Sequence, residues 1–407
     1  MSADTADRTF RYMNGYACLA GECPDTCCAY WRVPVDEAHY ESLRQVMSAP
    51  ADRELFERVI EREPEASRTP ERSARLKLDE RRHCPFLDEA KLCSLHARFG
   101  EGLLPDACAT FPRIVGLVGQ RRELSGCISC PEVARRALDD DYATDLVAPA
   151  ANALGRAALS QELRGGAEPA ARLDTVRDAM YEIVSTRIYP LDARLFALAH
   201  LAYDLDELVG RRGDPAELLA AVEPYTTASH IGEMHKLLSS APPDGAFGLG
   251  CVLQLFAGPL QSSHSHRFAD VAGEVLSSLG KPADVHDVWQ LFAERRNALG
   301  EDDIARVDRF VFNYVRHTCI SEWYSSFPSL RIFVQTLLLR VTTLRFLTLG
   351  HPALTAAEPA TVDDIGIEVF YSFSRAIERN ALAAAGFYQL AGEALPSYYH
   401  TAPLLRV

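Results

Sequence analysis

The sequence predicts a mostly α protein: a small, irregular, cysteine-rich α+β module, then a large helical region. Three observations predict it. Nine of the eleven cysteines lie within the first 130 residues. Short alternating stretches set between turn-formers are confined to roughly the same segment. From Pro131 onward, Leu, Ala and Val recur every three or four residues almost throughout, the spacing of a helix face packed on a core. The module is therefore assigned to residues 1–135 and the helical domain to 136–407.

Taken in order, Trp31 to Asp36 alternates as a short strand, and Asp36 is placed to cap a helix running to about Met47. A second helix is expected from Asp52 to Glu63. Arg75 to Asp79 and Lys91 to Leu95 read as short strands, and Ile114 to Ser125 as a hairpin turning near Gly119. Pro131 is suited to start a helix through Ala137. Helical patterns follow at 146–163, 171–187, 191–209, 215–225, 266–278, 285–298, 302–324, 329–348, 361–382 and 385–394. Gly165-Gly166, Arg211 to Asp214, Pro242 to Gly245 and His351 to Pro359 mark the breaks. The long apolar run from Leu330 to Leu349 is interrupted by Arg331, Arg340 and Arg345, which suits a buried or amphipathic helix and not a membrane span.

Charge narrows the function classes. The chain has a formal net charge of −14. Residues 1–135 hold 22 acidic and 19 basic side chains, a net of −3, which leaves −11 on the helical region. Such a chain is a poor partner for nucleic acid or an anionic membrane surface, since both require a Lys/Arg field. An acidic surface favours solubility, and would also favour a basic substrate such as a lysine side chain. The polar, acidic start, Met-Ser-Ala-Asp-Thr-Ala-Asp, has no basic stretch followed by an apolar one, so the expected location is the cytoplasm.

In that compartment nine clustered cysteines are not a disulfide framework. Nor do they read as core thiols, since they sit among turn-formers: Cys23-Pro-Asp-Thr-Cys27-Cys28, His83-Cys84-Pro85, Leu92-Cys93-Ser94, Pro105-Asp-Ala-Cys108 and Cys127-Ile-Ser-Cys130-Pro131. Metal ligation remains, because thiolates are soft ligands for zinc or iron–sulfur clusters. The spacing excludes a paired CxxC ribbon. It also excludes the CxxxCxxC signature of radical enzymes, because Tyr30 stands where the third thiolate would be. His83 and His96 adjoin the cysteines and read as hydrogen-bonding neighbours. Cys251 and Cys319 lie alone in apolar stretches and read as small core hydrophobes.

Elsewhere the signals are weak. Gly245 to Gly250 contains GxxGxG, but no alternating strand precedes it, as a dinucleotide loop requires. His264-Ser-His266 reads as two loop histidines. Asn313-Tyr314 with Arg316, and Glu378-Arg379-Asn380, are polar groups on apolar helices. They could line a pocket, although solvated helix faces are commoner.

The motifs resemble those of the flagellin lysine-N-methylases, within a wider group of zinc- or iron-chelating proteins with a CxxCxxCC-type knuckle. The resemblance is carried by Tyr16-Ala-Cys18…Cys23-Pro-Asp-Thr-Cys27-Cys28-Ala-Tyr-Trp31-Arg-Val-Pro-Val-Asp36, Cys84-Pro-Phe-Leu87, Leu92-Cys93, Cys108-Ala-Thr-Phe-Pro-Arg113 and Ser129-Cys130-Pro-Glu132, in the same order. It extends more loosely through Phe312-Asn-Tyr314 and Phe373-Ser-Arg-Ala-Ile377. The family usually has glycine where this chain has Tyr30, and often a histidine where it has Arg379. A glycine replaced by tyrosine matters only if the position has positive φ.

The resemblance implies methyl transfer from S-adenosylmethionine to lysine ε-amines of flagellin, in an enzyme with a cysteine-ligated cluster of the 4Fe–4S type, zinc being the alternative. It implies metal ligands among Cys18, Cys23, Cys27, Cys28, Cys84, Cys93, Cys108 and Cys130, and Cys27, Cys28 and Cys84 are expected to matter most. Cys127 is the one that no motif places. In-line displacement by a neutral amine needs no radical, only alignment and a proton acceptor, for which Asp25, His83, His96 and Tyr314 are the candidates. A cluster could anchor the cofactor at an open iron or staple irregular loops. A non-catalytic metal module and a cluster-dependent oxidoreductase are the readings from other classes.

Overall fold

The computed structural model describes residues 6–150, 153, 170–211, 214–257, 266–280, 283–356 and 358–407. It is mostly helical, with all its strands before residue 150 among the described residues.

The chain opens with β1 (Arg8–Phe10). The knuckle that follows makes only two 3-10 turns, and then β2 (Pro34–Val35) leads into α1 (Glu37–Val46). Asp36 caps α1 as its sequence position predicts, its carboxylate accepting from His39 N at 3.0 Å. Helix α2 (Pro50–Val59) ends earlier than expected. Ile60, with the two residues after it, forms β3 (Ile60–Arg62) and pairs with β4 (Ala74–Leu76), a better use of a β-branched residue than a frayed helix end. With β2 these strands make a three-stranded antiparallel sheet in the order β2-β4-β3.

The strand expected over Lys91 to Leu95 is not formed. Only an isolated bridge joins Leu87 to Cys93, and Ser94 begins α3 (Ser94–Phe99). The Asp88 carboxylate accepts from Ala90 N at 2.9 Å and Leu92 N at 2.8 Å, curling the backbone and placing Lys91 at φ +59°. After α4 (Asp106–Thr110), the hairpin forms as read: β5 (Arg113–Val118) and β6 (Arg121–Gly126) turn at Gly119, whose φ is +61°. Helix α5 (Pro131–Leu138) starts on Pro131.

The helix expected at 146 begins instead as β7 (Leu146–Val147), which pairs with β1. Of the remainder of 146–163, residues 148–150 and 153 are described and are not helical; the others, with Gly165-Gly166 and His264, lie outside the described residues. The second sheet has the order β5-β6-β1-β7, with β1 parallel to β6.

The rest is helical: α6 (Ala170–Ser185), α7 (Leu191–Gly210), α8 (Pro215–Val222), α9 (Ala228–Ser240), α10 (Ala246–Ala257), α11 (His266–Ser278), α12 (Val285–Ala298), α13 (Glu301–Ser321), α14 (Leu330–Leu349), α15 (Val362–Phe373) and α16 (Ala381–Ala394). Helix α14 is the central one, with every side chain but that of Arg331 buried. It is long and apolar enough to cross a membrane, yet it lies wholly inside the protein, the buried helix that its arginines predict. Arg345 is held by Asp192 at 2.7 Å and Asp308 at 2.8 Å. The GxxGxG stretch opens α10, where Gly248 lets the backbone of Pro403 approach; a Cβ there would stand 2.7 Å from the Pro403 carbonyl. The helix expected over 361–382 is broken by a π turn, Ser374–Glu378, after which Asn380 caps α16 by accepting from Leu382 N and Ala383 N.

Two apolar cores result. The smaller runs from Val33 to Leu104 and carries the three-stranded sheet. The larger fills the helical region and takes in the four-stranded sheet through Phe10, Leu124, Ile128 and Cys130. Cys251 and Cys319 are buried in the larger core, as expected of lone apolar cysteines.

Candidate active site

Four of the eight motif cysteines are mutually close, and the other four lie beside them. Cys28, Cys84, Cys93 and Cys108 belong to the smaller core. Cys84 N donates to Cys28 O at 2.7 Å, and bridges join Ala29 to His83 and Leu87 to Cys93, so three cysteine-bearing segments are sewn together by backbone. Cys108 arrives on α4. Each of these four thiols lies within electrostatic range of the other three. Burial pushes Cys84 up to about 12 and raises Cys93 and Cys108 as well. Cys28 is lowered to about 7 by the hydrogen bond from Cys27. Cys84, Cys93 and Cys108, raised by burial, are inert as free nucleophiles, and a soft cation is what would hold them deprotonated.

Cys18, Cys23, Cys27 and Cys130 lie beside these four. Cys18 lies within electrostatic range of Cys23 and Cys27, and Cys23 of Cys130. The Tyr16 hydroxyl lies 3.9 Å from the Cys130 sulfur. The Cys27 thiol hydrogen-bonds that of Cys28 and lies within electrostatic range of Cys108, so the knuckle adjoins the first four directly.

Cys127 joins neither. Its sulfur receives Arg379 Nη2 at 2.7 Å and Nε at 3.1 Å, and Ser129 Oγ lies 2.7 Å away. His83 packs edge-on against Tyr30, with ring centroids 5.8 Å apart, and His96 is exposed on α3. A compact Asp36, His39 and Asp106 trio is explained by helix capping, the Asp36 carboxylate meeting His39 Nδ1 at 2.6 Å. Tyr30 has φ +67°, so the position where the family resemblance expects glycine adopts the left-handed conformation.

Between the cysteine loops and the helices lies a cavity of about 1150 Å³. Cys27 and Trp31 line it on the knuckle side, with Phe111 following α4 and Cys127 following β6. The opposite wall is built by α13, the start of α16, and the π turn. Glu322, at the end of α13, accepts from Arg340 Nη1 at 2.8 and 3.0 Å. Arg340 also lies 3.7 Å from Glu378, whose carboxylate accepts from Tyr314 Oη at 2.5 Å and from the Ser374 hydroxyl. Glu322 is enclosed by protein yet keeps 28% of its side chain accessible because it faces the cavity; burial raises its pKa, and Arg340 opposes that rise.

His317 lines the same cavity and donates to Gly126 O at 3.0 Å from Nε2. Burial lowers its pKa to about 4. Of the proton acceptors read from sequence, only Tyr314 lines the cavity, and its hydroxyl is committed to Glu378. Asp25 is paired with Arg375 at 2.6 Å. Glu322, Arg340 and His317 are residues that sequence reading did not place in a site. Arg316, singled out beside Tyr314, points away to Asp145 at 3.0 Å.

The FliB lysine N-methylase C-terminal domain model matches residues 177–401, more than half of the chain. The flagellar biosynthetic protein FliU of Salmonella muenchen is 26% identical over 135 residues, 33% of this chain and 78% of that protein. The lysine-N-methylases of Salmonella typhimurium and Salmonella choleraesuis are each 26% identical over the same length, which spans only 33% of each. No solved structure matches the chain. The family model lies on the region that includes α13, α14 and the π turn of the cavity wall, and it agrees with the resemblance carried by the cysteine motifs: the chain belongs to the FliB lysine N-methylase family, whose chemistry is lysine methylation.

Proposed function

We propose that this chain transfers methyl groups from S-adenosylmethionine to lysine ε-amines of flagellin, in the cavity beside a 4Fe–4S cluster held by Cys28, Cys84, Cys93 and Cys108. The observation that carries the reading is the cavity itself: it joins the cysteine loops to the carboxylates of Glu322 and Glu378 and is walled by aromatic rings, among them Trp31, Phe111, Tyr314 and Trp323. Both reactants are cations, a sulfonium and an ammonium, and π faces with nearby carboxylates suit both.

The chemistry asks little more. The amine nitrogen bonds to the methyl carbon as the carbon–sulfur bond breaks, and the sulfur leaves as a neutral thioether. The amine must first lose a proton, against an unperturbed pKa of about 10.4. Burial in the cavity lowers that value, and Glu322 is the carboxylate placed to receive the proton. No radical is required.

A four-thiolate set suits a 4Fe–4S cluster, with zinc as the alternative. When bound, such a cluster would supply a soft cross-link between the loops on one side of the cavity. Four thiolates for four irons leave none open, which favours stapling over cofactor anchoring. The flagellar name of the Salmonella muenchen relative supports flagellin as the substrate, and the −11 carried by residues 136–407 suits a lysine-bearing partner.

The test is intact-mass analysis of flagellin after incubation with anaerobically purified protein and S-adenosylmethionine. Steps of about 14 Da mapping to lysine are expected. Their absence with iron and sulfide verified in the protein would sink the reading.

A further inference from the structure

We infer that Arg113 takes the carboxylate of the methyl donor, on the side of the cavity facing Glu322. This rests on the methyl-transfer reading above and goes beyond it by placing the donor's amino-acid end. S-adenosylmethionine carries one anionic group, that carboxylate, besides its sulfonium and ammonium. Inside a protein a carboxylate needs a cation and N–H donors, because leaving water otherwise penalises it.

The first observation is which arginines are free to serve. Arg32, Arg113, Arg340, Arg375 and Arg379 line the cavity. Four of them are committed. Arg32 is paired with Glu63 at 2.7 Å, Arg375 with Asp25 at 2.6 Å and Arg340 with Glu322 at 2.8 Å, while Arg379 holds the Cys127 sulfur at 2.7 Å. Arg340 also lies 3.7 Å from Glu378, so a carboxylate arriving there would meet two others. Half-buried Arg113 forms no ion pair among the described residues.

The second observation is that Arg113 is held in position without using its donors. It opens β5, opposite Gly126 in the ladder with β6. Its guanidinium lies over the Tyr16 ring, with Cζ 5.2 Å from the centroid, and the Tyr16 hydroxyl is 3.9 Å from the Cys130 sulfur. A ring contact uses the face of a guanidinium and leaves its N–H edge for the two-pronged grip that fits a carboxylate.

The third observation is the polarity of the cavity. Arg113 stands on the β5 side, whereas Glu322 and Glu378 belong to the wall of α13 and the π turn. The donor's anionic end and the two reacting cations are thereby given opposite sides. With four thiolates for four irons, no open iron is left to take that end instead. A carboxylate of the protein substrate would offer Arg113 the same chemistry, and the test separates the two.

Calorimetric titration of the metal-loaded full chain is done with S-adenosylhomocysteine and with methylthioadenosine, which keeps the adenosyl thioether and lacks the carboxylate. Arg113→Ala should weaken S-adenosylhomocysteine roughly 10- to 100-fold, the worth of hydrogen bonds to a charged group, and leave methylthioadenosine unchanged. Arg113→Lys should recover part of the loss. On the unmutated chain the methyl ester of S-adenosylhomocysteine should bind more weakly than the acid by a similar factor, a comparison that no misfolded variant can blur. Equal affinity of acid and ester overturns the assignment. So does unchanged S-adenosylhomocysteine affinity in Arg113→Ala, and weaker flagellin binding in that variant would then give Arg113 to the protein substrate. An unmutated chain that binds neither nucleoside fails the methyl-transfer reading and this assignment together, whereas binding that Arg113→Ala leaves intact fails the assignment alone.

Discussion

Arg379 holds the sulfur of Cys127 with two hydrogen bonds, at 2.7 Å from Nη2 and 3.1 Å from Nε, and so ties the end of the π turn to the loop between β6 and α5. Cys127 is the cysteine that no motif placed, and this contact gives it a role on the π-turn side.

Cys127→Ala is therefore expected to cost stability and not metal. A hydrogen bond to a charged group contributes about 1.5–3 kcal/mol. Arg379 is enclosed by protein but stays open to the cavity, so screening reduces the cost to about 1–2 kcal/mol. Urea midpoints and metal content measured on the same samples check this. Metal loss as large as that in Cys84→Ser would instead make Cys127 a ligand.

Tyr30 gives a second prediction. Its φ of +67° costs about 1 kcal/mol that glycine avoids, while its ring gains edge contacts with His83 and His266. Comparing Tyr30→Gly with Tyr30→Ala cancels the lost ring. The glycine variant should be the more stable by about 1 kcal/mol. Equal unfolding midpoints would mean that the left-handed backbone carries no strain.

These contacts mark where sequence reading stops. The hairpin at Gly119, the Asp36 cap and the buried course of α14 were all legible, because each depends on local spacing or a single residue's preference. The short strands β3 and β7 were not, since two or three residues carry no period and their pairing comes from distant chain. The cysteines were legible as a sequence cluster, but not the close set of Cys28, Cys84, Cys93 and Cys108, which backbone bonds at Cys28, Cys84 and Cys93 help bring together. Glu322 and Arg340 were hidden for a related reason: helix periodicity shows that a face is apolar, not which polar breaks on two helices will meet.

His317 predicts an acid limb in stability. The unfolded chain binds a proton on this ring near pH 6.5, whereas the folded ring, buried and with Nε2 donating to Gly126 O, binds one only near pH 4. Its contribution is therefore full above pH 6.5 and is lost as pH falls toward 4, by about 3 kcal/mol at most. His317→Gln can keep a donor toward Gly126 and cannot titrate. Its stability should fall less steeply than the wild type's across that window, and parallel curves would remove His317 as the source.

Glu322 carries the sharpest functional prediction. It faces the cavity, takes two hydrogen bonds from Arg340 Nη1, and has its pKa raised by burial, the direction a proton acceptor at neutral pH needs. Glu378 has Tyr314 and Ser374 already bonded to its two oxygens, which makes it a positioning residue for Arg340. Glu322→Gln should lower kcat for lysine methylation about 100-fold at pH 7 with little change in KM, the lower end of what general bases contribute. Raising the pH should restore much of the loss, because solvent then deprotonates the lysine and the missing acceptor matters less. Tyr314→Phe should cost far less and show no such recovery. The measurement is flagellin methylation by intact mass as a function of time and pH, and a Glu322→Gln enzyme as fast as wild type at pH 7 would move the proton to another acceptor.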